Sequence, residues 1–198
     1  MPFCGYIKIE YSIFNLQFRL VRASNSKVPM NATILKGNAH VYGNNIDTDA
    51  IIPGKYTKTL ELQTFADHVL EDLDPEFKTK LKKGDILVAG DNFGCGSSRE
   101  QAPLALKVAG VSAVVAKYFA RIFFRNAVNI GLPVLEIEDF DIAPGDELEI
   151  DLKSGTVNNL TKSRQYRAAK MPETMIDILN EGGLANYLRK YGDYQLES

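Results

Sequence analysis

Short apolar runs alternate with amphipathic stretches along the chain from about residue 34 onward. Three of these runs are rich in β-branched or small apolar residues and are flanked by polar residues, Gly or Pro: Ile86–Ala89, Ala113–Ala116 and Val134–Ile137. Runs of this length and composition are typical of buried strands. The pattern therefore predicts three buried strands in the middle of the chain.

The stretches between these strands repeat apolar residues at helical spacing. The first contains Ala102, Ala105, Leu106 and Ala109, and the second contains Phe119, Ile122, Phe123, Ala127 and Ile130. This spacing places the apolar residues of each stretch on one face of a helix. Strands that alternate with helices through short links form a parallel sheet with the helices packed on it.

The pattern changes after the third strand. Residues 146–152 and 156–160 flank Ser154-Gly155, which predicts a hairpin, and residues 165–168 are again extended. Two short helices follow, the first between Pro172-Glu173 and Gly182-Gly183 and the second from Leu184. The predicted fold class is α/β, a parallel sheet flanked by helices with a small antiparallel lobe.

Composition excludes several classes of function. The 198 residues are 45% hydrophobic, enough for one domain with a sizeable core. The formal net charge of −2 indicates no nucleic-acid partner, and no run reaches the ~18 apolar residues of a membrane span. The two cysteines, Cys4 and Cys95, are too few for a disulfide framework. We therefore expect a cytoplasmic protein without a metal centre of its own.

Residues 1–30 differ from the rest, because they mix aromatic and charged residues without a clear period. Lys8 and Glu10 interrupt the apolar stretch that a signal peptide would need. We interpret this segment as a poorly ordered extension, or as the result of a start assigned upstream of Met30, rather than as a targeting signal. Residues 31–198 then form the functional domain.

The segment from Gly90 to Pro103 is the best candidate for chemistry. It lies between a predicted strand and a predicted helix, where free N–H groups and the helix dipole favour an anion. Ser98 and Gln101 have capping-box spacing, so the helix is predicted to begin near Ser98 or Arg99. Two serine hydroxyls and a guanidinium at such a position suit a carboxylate.

Other interpretations of this segment are less consistent with the sequence. The phosphate-loop spacing GxxxxGK[ST] is absent, and so is a GxGxxG motif within a long βαβ unit. The serines could instead simply cap the helix, with Arg99 paired to Glu100 or Asp91. The residues alone leave that structural alternative open.

Three blocks of the chain resemble signatures of a known family. They are Phe93-Gly94-Cys95-Gly96-Ser97-Ser98-Arg99-Glu100-Gln101-Ala102-Pro103, Asn45-Ile46-Asp47-Thr48-Asp49-Ala50-Ile51-Ile52-Pro53 and Ala116-Lys117-Tyr118-Phe119-Ala120-Arg121-Ile122-Phe123-Phe124-Arg125-Asn126. They are similar to the small subunits of 3-isopropylmalate dehydratase and homoaconitase, which match the swivelling domain of aconitase. The resemblance covers about residues 34 to 190.

The resemblance implies a division of labour between two chains. A large partner subunit would hold a [4Fe-4S] cluster, and this chain would bind none. Ser97 would be the catalytic base, and Ser98 and Arg99 would bind a substrate carboxylate, with Thr48 and Asp49 also at the site. The implied reaction is the isomerisation of 2- and 3-isopropylmalate by dehydration and rehydration in leucine synthesis, in a heterodimer or heterotetramer.

The substrate assignment is open within the family. The resemblance places a substrate-contacting loop after Pro53, which adds Tyr56, Thr57, Lys58 and Thr59 to the substrate-binding residues. The loop departs from both family patterns, because Thr57 and Lys58 replace residues that are usually Leu and either Arg or aliphatic. Homoaconitase and 2,3-dimethylmalate dehydratase small subunits are the alternatives. A non-catalytic carboxylate-binding module is the alternative from another functional class.

Overall fold

The computed structural model describes residues 33–59 and 61–192. The sheet strands are β1 Ile34–Val41, β2 Ile86–Ala89, β3 Ala113–Ala116, β4 Val134–Glu136, β5 Glu147–Asp151, β6 Thr156–Asn159 and β7 Arg164–Arg167. The helices are α1 Thr48–Ile51, α2 Leu62–His68, α3 Phe77–Lys80, α4 Gln101–Ala109, α5 Arg121–Ile130, α6 Glu173–Asn180 and α7 Leu184–Tyr191. A 3₁₀ turn occupies Gly54–Tyr56.

All seven strands belong to one mixed sheet in the order β4-β3-β2-β1-β5-β6-β7. Strands β1 to β4 are parallel, and β5, β6 and β7 continue the sheet as an antiparallel meander. Strand β1 joins the two parts, because residues 34–38 pair with β5 and residues 39–41 pair with β2. The predicted parallel sheet and antiparallel lobe are therefore both present, and they share β1.

The sheet is curled so that its two edge regions meet. Asp141, in the segment after β4, binds Lys162 at 2.6 Å and Arg164 at 2.8 Å, and its backbone carbonyl accepts a hydrogen bond from Tyr166 at 2.9 Å. These partners lie on or just before β7 at the opposite edge. The contacts join the two ends of the sheet through charge and backbone hydrogen bonds.

Both faces of the parallel strands are buried. One face, with Leu87 and Val114, packs against α2, α4, α5 and α7. The other face, with Val88 and Val115, packs against the antiparallel strands and α6. Burial on both sides explains why these strands are continuously apolar rather than alternating.

The predicted strands agree with the structure to within one residue at each end, and most helix faces are confirmed. Phe119, predicted on the second helix, is buried but lies before α5. Strand β4 ends at Glu136, one residue before the predicted Ile137. Ile122 was predicted to face the core but is 43% exposed, because Phe123 and Ala127 define the buried face of α5. The predicted N-terminal extension, residues 1–30, lies outside the described residues.

Among the described residues, no helix has both the length and the apolar composition needed to cross a bilayer.

Lys107 joins the ends of two helices. Its amino group donates hydrogen bonds to the carbonyl of Ile130, the last residue of α5, and to that of Gly182, just after α6, at 3.1 Å. Unpaired carbonyls at helix ends need such partners. Enclosure between the two helices lowers the pKa of Lys107 to about 8. A lysine therefore stabilises this junction while paying a desolvation cost for its charge.

We predict that the stability difference between the protein and its Lys107→Met variant depends on pH. The unfolded lysine, with a pKa near 10.5, binds a proton more tightly than the folded one, so the wild-type free energy of unfolding should rise relative to the variant between pH 8 and 10.5. The rise should be about 2–3 kcal/mol. Urea titrations across this range measure it, and a difference independent of pH would contradict the assignment.

Candidate functional site

The candidate residues lie at the carboxyl edge of the parallel strands. The segment after β1 leads to α1 with Thr48, and the segment after β2 carries Ser97 and Arg99. The segment after β3 contacts the second of these, because Phe93 forms a bridge with Phe119. Ligands of open α/β sheets bind at this edge, where successive loops converge. The fold thus brings together residues about fifty positions apart in sequence.

Backbone and amide hydrogen bonds connect the segments after β1 and β2. Gly94 donates to the carbonyl of Ile46 at 2.7 Å, and Thr48 donates from its backbone to the carbonyl of Cys95 at 2.9 Å. The side chain of Asn44 accepts a hydrogen bond from the amide of Asp91 at 2.8 Å. These hydrogen bonds therefore join the two segments beyond the carboxyl ends of β1 and β2.

Close packing between Gly94 and Phe123 fixes the position of the segment that follows β2. Gly94 has a φ of 75°, and a Cβ on it would lie 2.2 Å from the ring of Phe123. Phe93 is fully buried next to Gly94, with its ring edge-to-face against Phe123 at a centroid distance of 5.1 Å. Because Gly94 has no side chain and the rings of Phe93 and Phe123 pack beside it, the backbone that follows can turn toward the surface.

Thr48 and Ser97 lie side by side in the group of residues that we call the mouth of the site: Thr48, Asp49, Ser97, Ser98 and Arg99. The Thr48 hydroxyl donates to the carbonyl of Ser97 at 3.1 Å, and its oxygen lies 3.2 Å from Ser97 Oγ. Because the single Thr48 proton is used by that carbonyl, Ser97 Oγ acts as the donor between the two hydroxyls. Thr48 is 2% exposed, whereas Ser97 and Ser98 are exposed. The buried threonine therefore orients an accessible serine.

Arg99 and Asp49 form an ion pair beside these hydroxyls. Arg99 NH1 donates to the carboxylate of Asp49 and also lies 3.5 Å from the carbonyl oxygen of Ile52. This hydrogen bond from Arg99 lowers the pKa of Asp49, although partial desolvation opposes it. Within the described residues these contacts use NH1, and NH2 lies beside Gly54, 3.4 Å from where a Cβ on that glycine would be. Asp49 is thus placed to orient Arg99.

The predicted helix start is wrong by two residues. Helix α4 begins at Gln101, and its first turn has no side-chain cap, so Ser98 and Gln101 form no capping box. The amide of Arg99 instead donates to the carbonyl of Ser97 at 2.8 Å, in a turn that precedes the helix. The backbone amide of Arg99 is therefore occupied, and the hydroxyls and guanidinium are left to bind an anion.

Asp47 has a structural role in this edge. Its side chain accepts a hydrogen bond from the amide of Ala50 at 2.7 Å and so caps α1. Within residues 33–59 and 61–192, no group of three or more His, Cys, Asp or Glu side chains could hold a metal ion. A metal at this mouth would need ligands from outside the described part of the chain.

The residues of the predicted substrate loop differ in their surroundings. Tyr56 turns toward the body of the protein, where its hydroxyl binds Glu71 at 3.3 Å. Thr57 donates from its hydroxyl to the carbonyl of Gly54 at 2.8 Å, and Thr59 accepts from the amide of Glu61. Lys58 is exposed and makes no ion pair with any described residue. Lys58 is therefore the side chain of this loop that is free to meet a ligand.

Sequence reasoning missed Glu71 and His68, which contact the predicted substrate loop. His68 Nδ1 lies 2.6 Å from Glu71 Oε2, and Lys55 Nζ lies 2.9 Å from Glu71 Oε1. The i, i+3 spacing of His68 and Glu71 indicates that they can pair. Their contact with Lys55 and Tyr56 depends on tertiary structure, so no local signal revealed it.

Comparison with known proteins places the chain in a family. Residues 45–139 match the model of the aconitase C-terminal domain. The chain is 56% identical over 158 residues to the 3-isopropylmalate dehydratase small subunit of Caldicellulosiruptor saccharolyticus, and the match covers 79% of this chain and 91% of that protein. The chain belongs to the 3-isopropylmalate dehydratase small-subunit family.

Two further family members agree with this membership. The methanogen homoaconitase small subunit of Methanothermobacter thermautotrophicus is 54% identical over 157 residues, with 79% of this chain and 92% of that protein covered. A crystal structure of 3-isopropylmalate dehydratase from Methanocaldococcus jannaschii superposes with a TM-score of 0.77 at 46% identity, covering 80% of this chain and 95% of that chain. The predicted family and fold class are thereby confirmed.

We predict that Gly94→Ala destabilises this member of the dehydratase small-subunit family by about 1–3 kcal/mol, the usual cost of overpacking a close contact. The added methyl group would displace Phe123 and move the segment that carries Ser97. Urea denaturation measures the free energy of unfolding of the variant and the wild type.

The matched control is Gly145→Ala. Gly145 has a φ of 85° but has no atom within 4 Å of an added Cβ, so it measures the cost of backbone strain alone. Equal losses in both variants would show that the contact with Phe123 adds nothing.

Proposed function

We propose that this chain is the small subunit of a two-chain iron–sulfur hydro-lyase that interconverts 2- and 3-isopropylmalate by dehydration and rehydration in leucine synthesis. The proposal rests on one observation above all: Ser97, Ser98 and Arg99 stand together at an open mouth, next to Thr48 and Asp49. It is also supported by the 56% identity to a subunit named for this enzyme.

Ser97 is the proposed base. Its Oγ, in the deprotonated form, would take the proton from the carbon next to a substrate carboxylate during dehydration, and the resulting hydroxyl would return it during rehydration. A serine is a weak base unless its oxyanion is stabilised. Thr48 Oγ1, at 3.2 Å, can turn its proton from the Ser97 carbonyl to Ser97 Oγ. That hydrogen bond would run from the buried Thr48 to the exposed Ser97, and a charged acceptor would strengthen it.

Ser98 and Arg99 are the proposed carboxylate ligands. A guanidinium can bind a carboxylate through two parallel hydrogen bonds, and the Arg99 side chain is 24% exposed while it pairs with Asp49 through NH1. Asp49 then keeps the guanidinium in place before substrate arrives. Ser98 is exposed beside Arg99 and can add one hydroxyl donor.

The [4Fe-4S] cluster belongs on the large partner subunit in this proposal. When bound there, the cluster supplies a Lewis acid for the hydroxyl that leaves. The two cysteines of this chain cannot complete a cluster of that kind, whereas the hydroxyls and guanidinium fit the substrate side of such a site. Tyr118 and Ile122, 46% and 43% exposed at the same sheet edge, suit coverage by a partner. We expect the two-chain enzyme to be cytoplasmic.

Lys58 makes a homoaconitase-type acid an alternative substrate. Lys58 is an exposed cation in the substrate loop, and a relative named homoaconitase is 54% identical. A second distal carboxylate on a longer acid would attract such a cation. A 2,3-dimethylmalate dehydratase would instead need an apolar surface at this position, and a non-catalytic carboxylate-binding module would need no partner.

The proposal is tested by reconstitution with the large subunit. The isolated chain should give no turnover, and the assembled enzyme should interconvert isopropylmalate isomers faster than it hydrates homoaconitate-type acids. Ser97→Ala should lower kcat at least about a hundredfold with little change in KM, because general base catalysis contributes 10²–10⁴. Steady-state assays of the ultraviolet absorbance of the unsaturated intermediate measure both constants.

The control variant is Ser154→Ala, in the β5–β6 turn, where the hydroxyl binds Asp151 at 2.8 Å far from the mouth. It should retain wild-type kcat. Full activity of the isolated chain, or normal kcat in Ser97→Ala, would refute the proposal. A stable monomer that binds dicarboxylates without any partner would favour the carboxylate-binding module instead.

A further inference from the structure

One carboxylate, that of Glu71, joins the substrate loop to the body of the protein. Its Oε1 forms an ion pair with Lys55 Nζ at 2.9 Å without hydrogen-bond geometry, and its Oε2 accepts a hydrogen bond from the Tyr56 hydroxyl at 3.3 Å. His68 Nδ1, on α2, approaches the same Oε2 at 2.6 Å. Two of these three partners are consecutive residues of the loop. Glu71 therefore fixes the loop at the point just before Thr57 and Lys58.

We call Lys55, Tyr56, His68 and Glu71 the Glu71 cluster. Ring contacts also connect its members. The rings of Tyr56 and His68 are stacked with centroids 3.8 Å apart and planes 8° apart. Lys55 Nζ lies 4.8 Å from the centroid of Tyr56. The stack limits rotation of Tyr56, and the lysine adds a cation–π contact with the same ring.

The backbone of Glu71 is itself tied to the helix that bears Thr48 and Asp49. The preceding residue, Leu70, is fully buried in a left-handed conformation with a φ of 57°. Its amide donates to the carbonyl of Ile51, the last residue of α1, at 2.9 Å. The cluster therefore links the loop to α1 through a rigid, buried turn.

The charge on Glu71 is retained. Burial opposes ionisation, but the contacts with Lys55, His68 and Tyr56 lower the pKa of the carboxyl below its usual value. Its side chain keeps 25% exposure. Partly exposed ion pairs contribute little to global stability. The cluster is thus better suited to orienting one loop than to holding the fold together.

We propose that Glu71 is a positioning residue for substrate selection: through Lys55 and Tyr56 it sets where Thr57 and Lys58 stand relative to the variable group of the acid. This inference rests on the proposed function, since it assigns the loop to the substrate. Glu71 touches no reacting atom. Loss of its charge should therefore affect substrate binding and choice rather than the chemical step.

The test uses Glu71→Gln in the assembled two-chain enzyme. The expected result is an increase in KM for isopropylmalate of about tenfold, the scale of one charged hydrogen bond, with kcat within about twofold of wild type. The ratio of kcat/KM for isopropylmalate to that for a homoaconitate-type acid should also change. A role in folding alone would leave that ratio unaltered.

The control is Glu76→Gln, which neutralises a carboxylate paired with Lys80 at 3.0 Å on an exposed turn. It should leave KM and the substrate ratio unchanged. A double-mutant cycle adds Lys55→Met: if the two residues act through one contact, the double variant should cost no more than the larger single effect.

A second readout does not depend on activity. In the isolated full-length chain, tryptic cleavage after Lys58, followed by mass spectrometry, should be several-fold faster in Glu71→Gln than in wild type. Unchanged cleavage would show that Glu71 does not hold the loop, and faster cleavage with unchanged KM and substrate ratio would show that it does not position the loop for substrate. A wild-type complex inactive on every acid would refute the proposed function, while the cleavage rates would still decide whether Glu71 holds the loop.

Discussion

The geometry of the mouth depends on how closely the backbone at Gly94 approaches Phe123. The contact leaves no room for a side chain on the loop, and it brings Cys95 to hydrogen-bonding distance of Thr48. Ser97 then lies beside the Thr48 hydroxyl, although the two residues are far apart in sequence. Because the core is close-packed, Phe93 and Phe123 have little room to move. These two residues therefore set the position of Ser97.

The mouth combines accessible groups with buried supports. Ser97 and Ser98 are exposed, whereas Thr48 beneath them is buried. Arg99 is held by Asp49 through NH1 and is 24% exposed. Under the proposed function, support of this kind reduces the ordering that a bound carboxylate must impose on the side chains.

Much of the fold was predictable because its central strands are continuous apolar runs and its helices repeat at 3.6 residues. Strand β1 was not singled out, since it contains Gly37, whose missing Cβ makes room for the carbonyl of Gly84, and polar residues that pair on both sides. The capping pattern at Ser98 was misleading, because tertiary contacts with Thr48 use the Ser97 carbonyl. The Glu71 cluster depends on contacts between distant loops, which local patterns do not encode.

We propose that Ser98 and Arg99 bind the carboxylate of a hydroxy acid and that Ser97 removes its proton, with a partner subunit completing the site. The decisive measurement is a crystal structure of the assembled enzyme with bound isopropylmalate. We expect a substrate carboxylate on Ser98 and Arg99, with Ser97 Oγ about 3 Å from the carbon that loses its proton. A substrate carboxylate bound elsewhere, with Ser97 facing solvent, would refute the proposal.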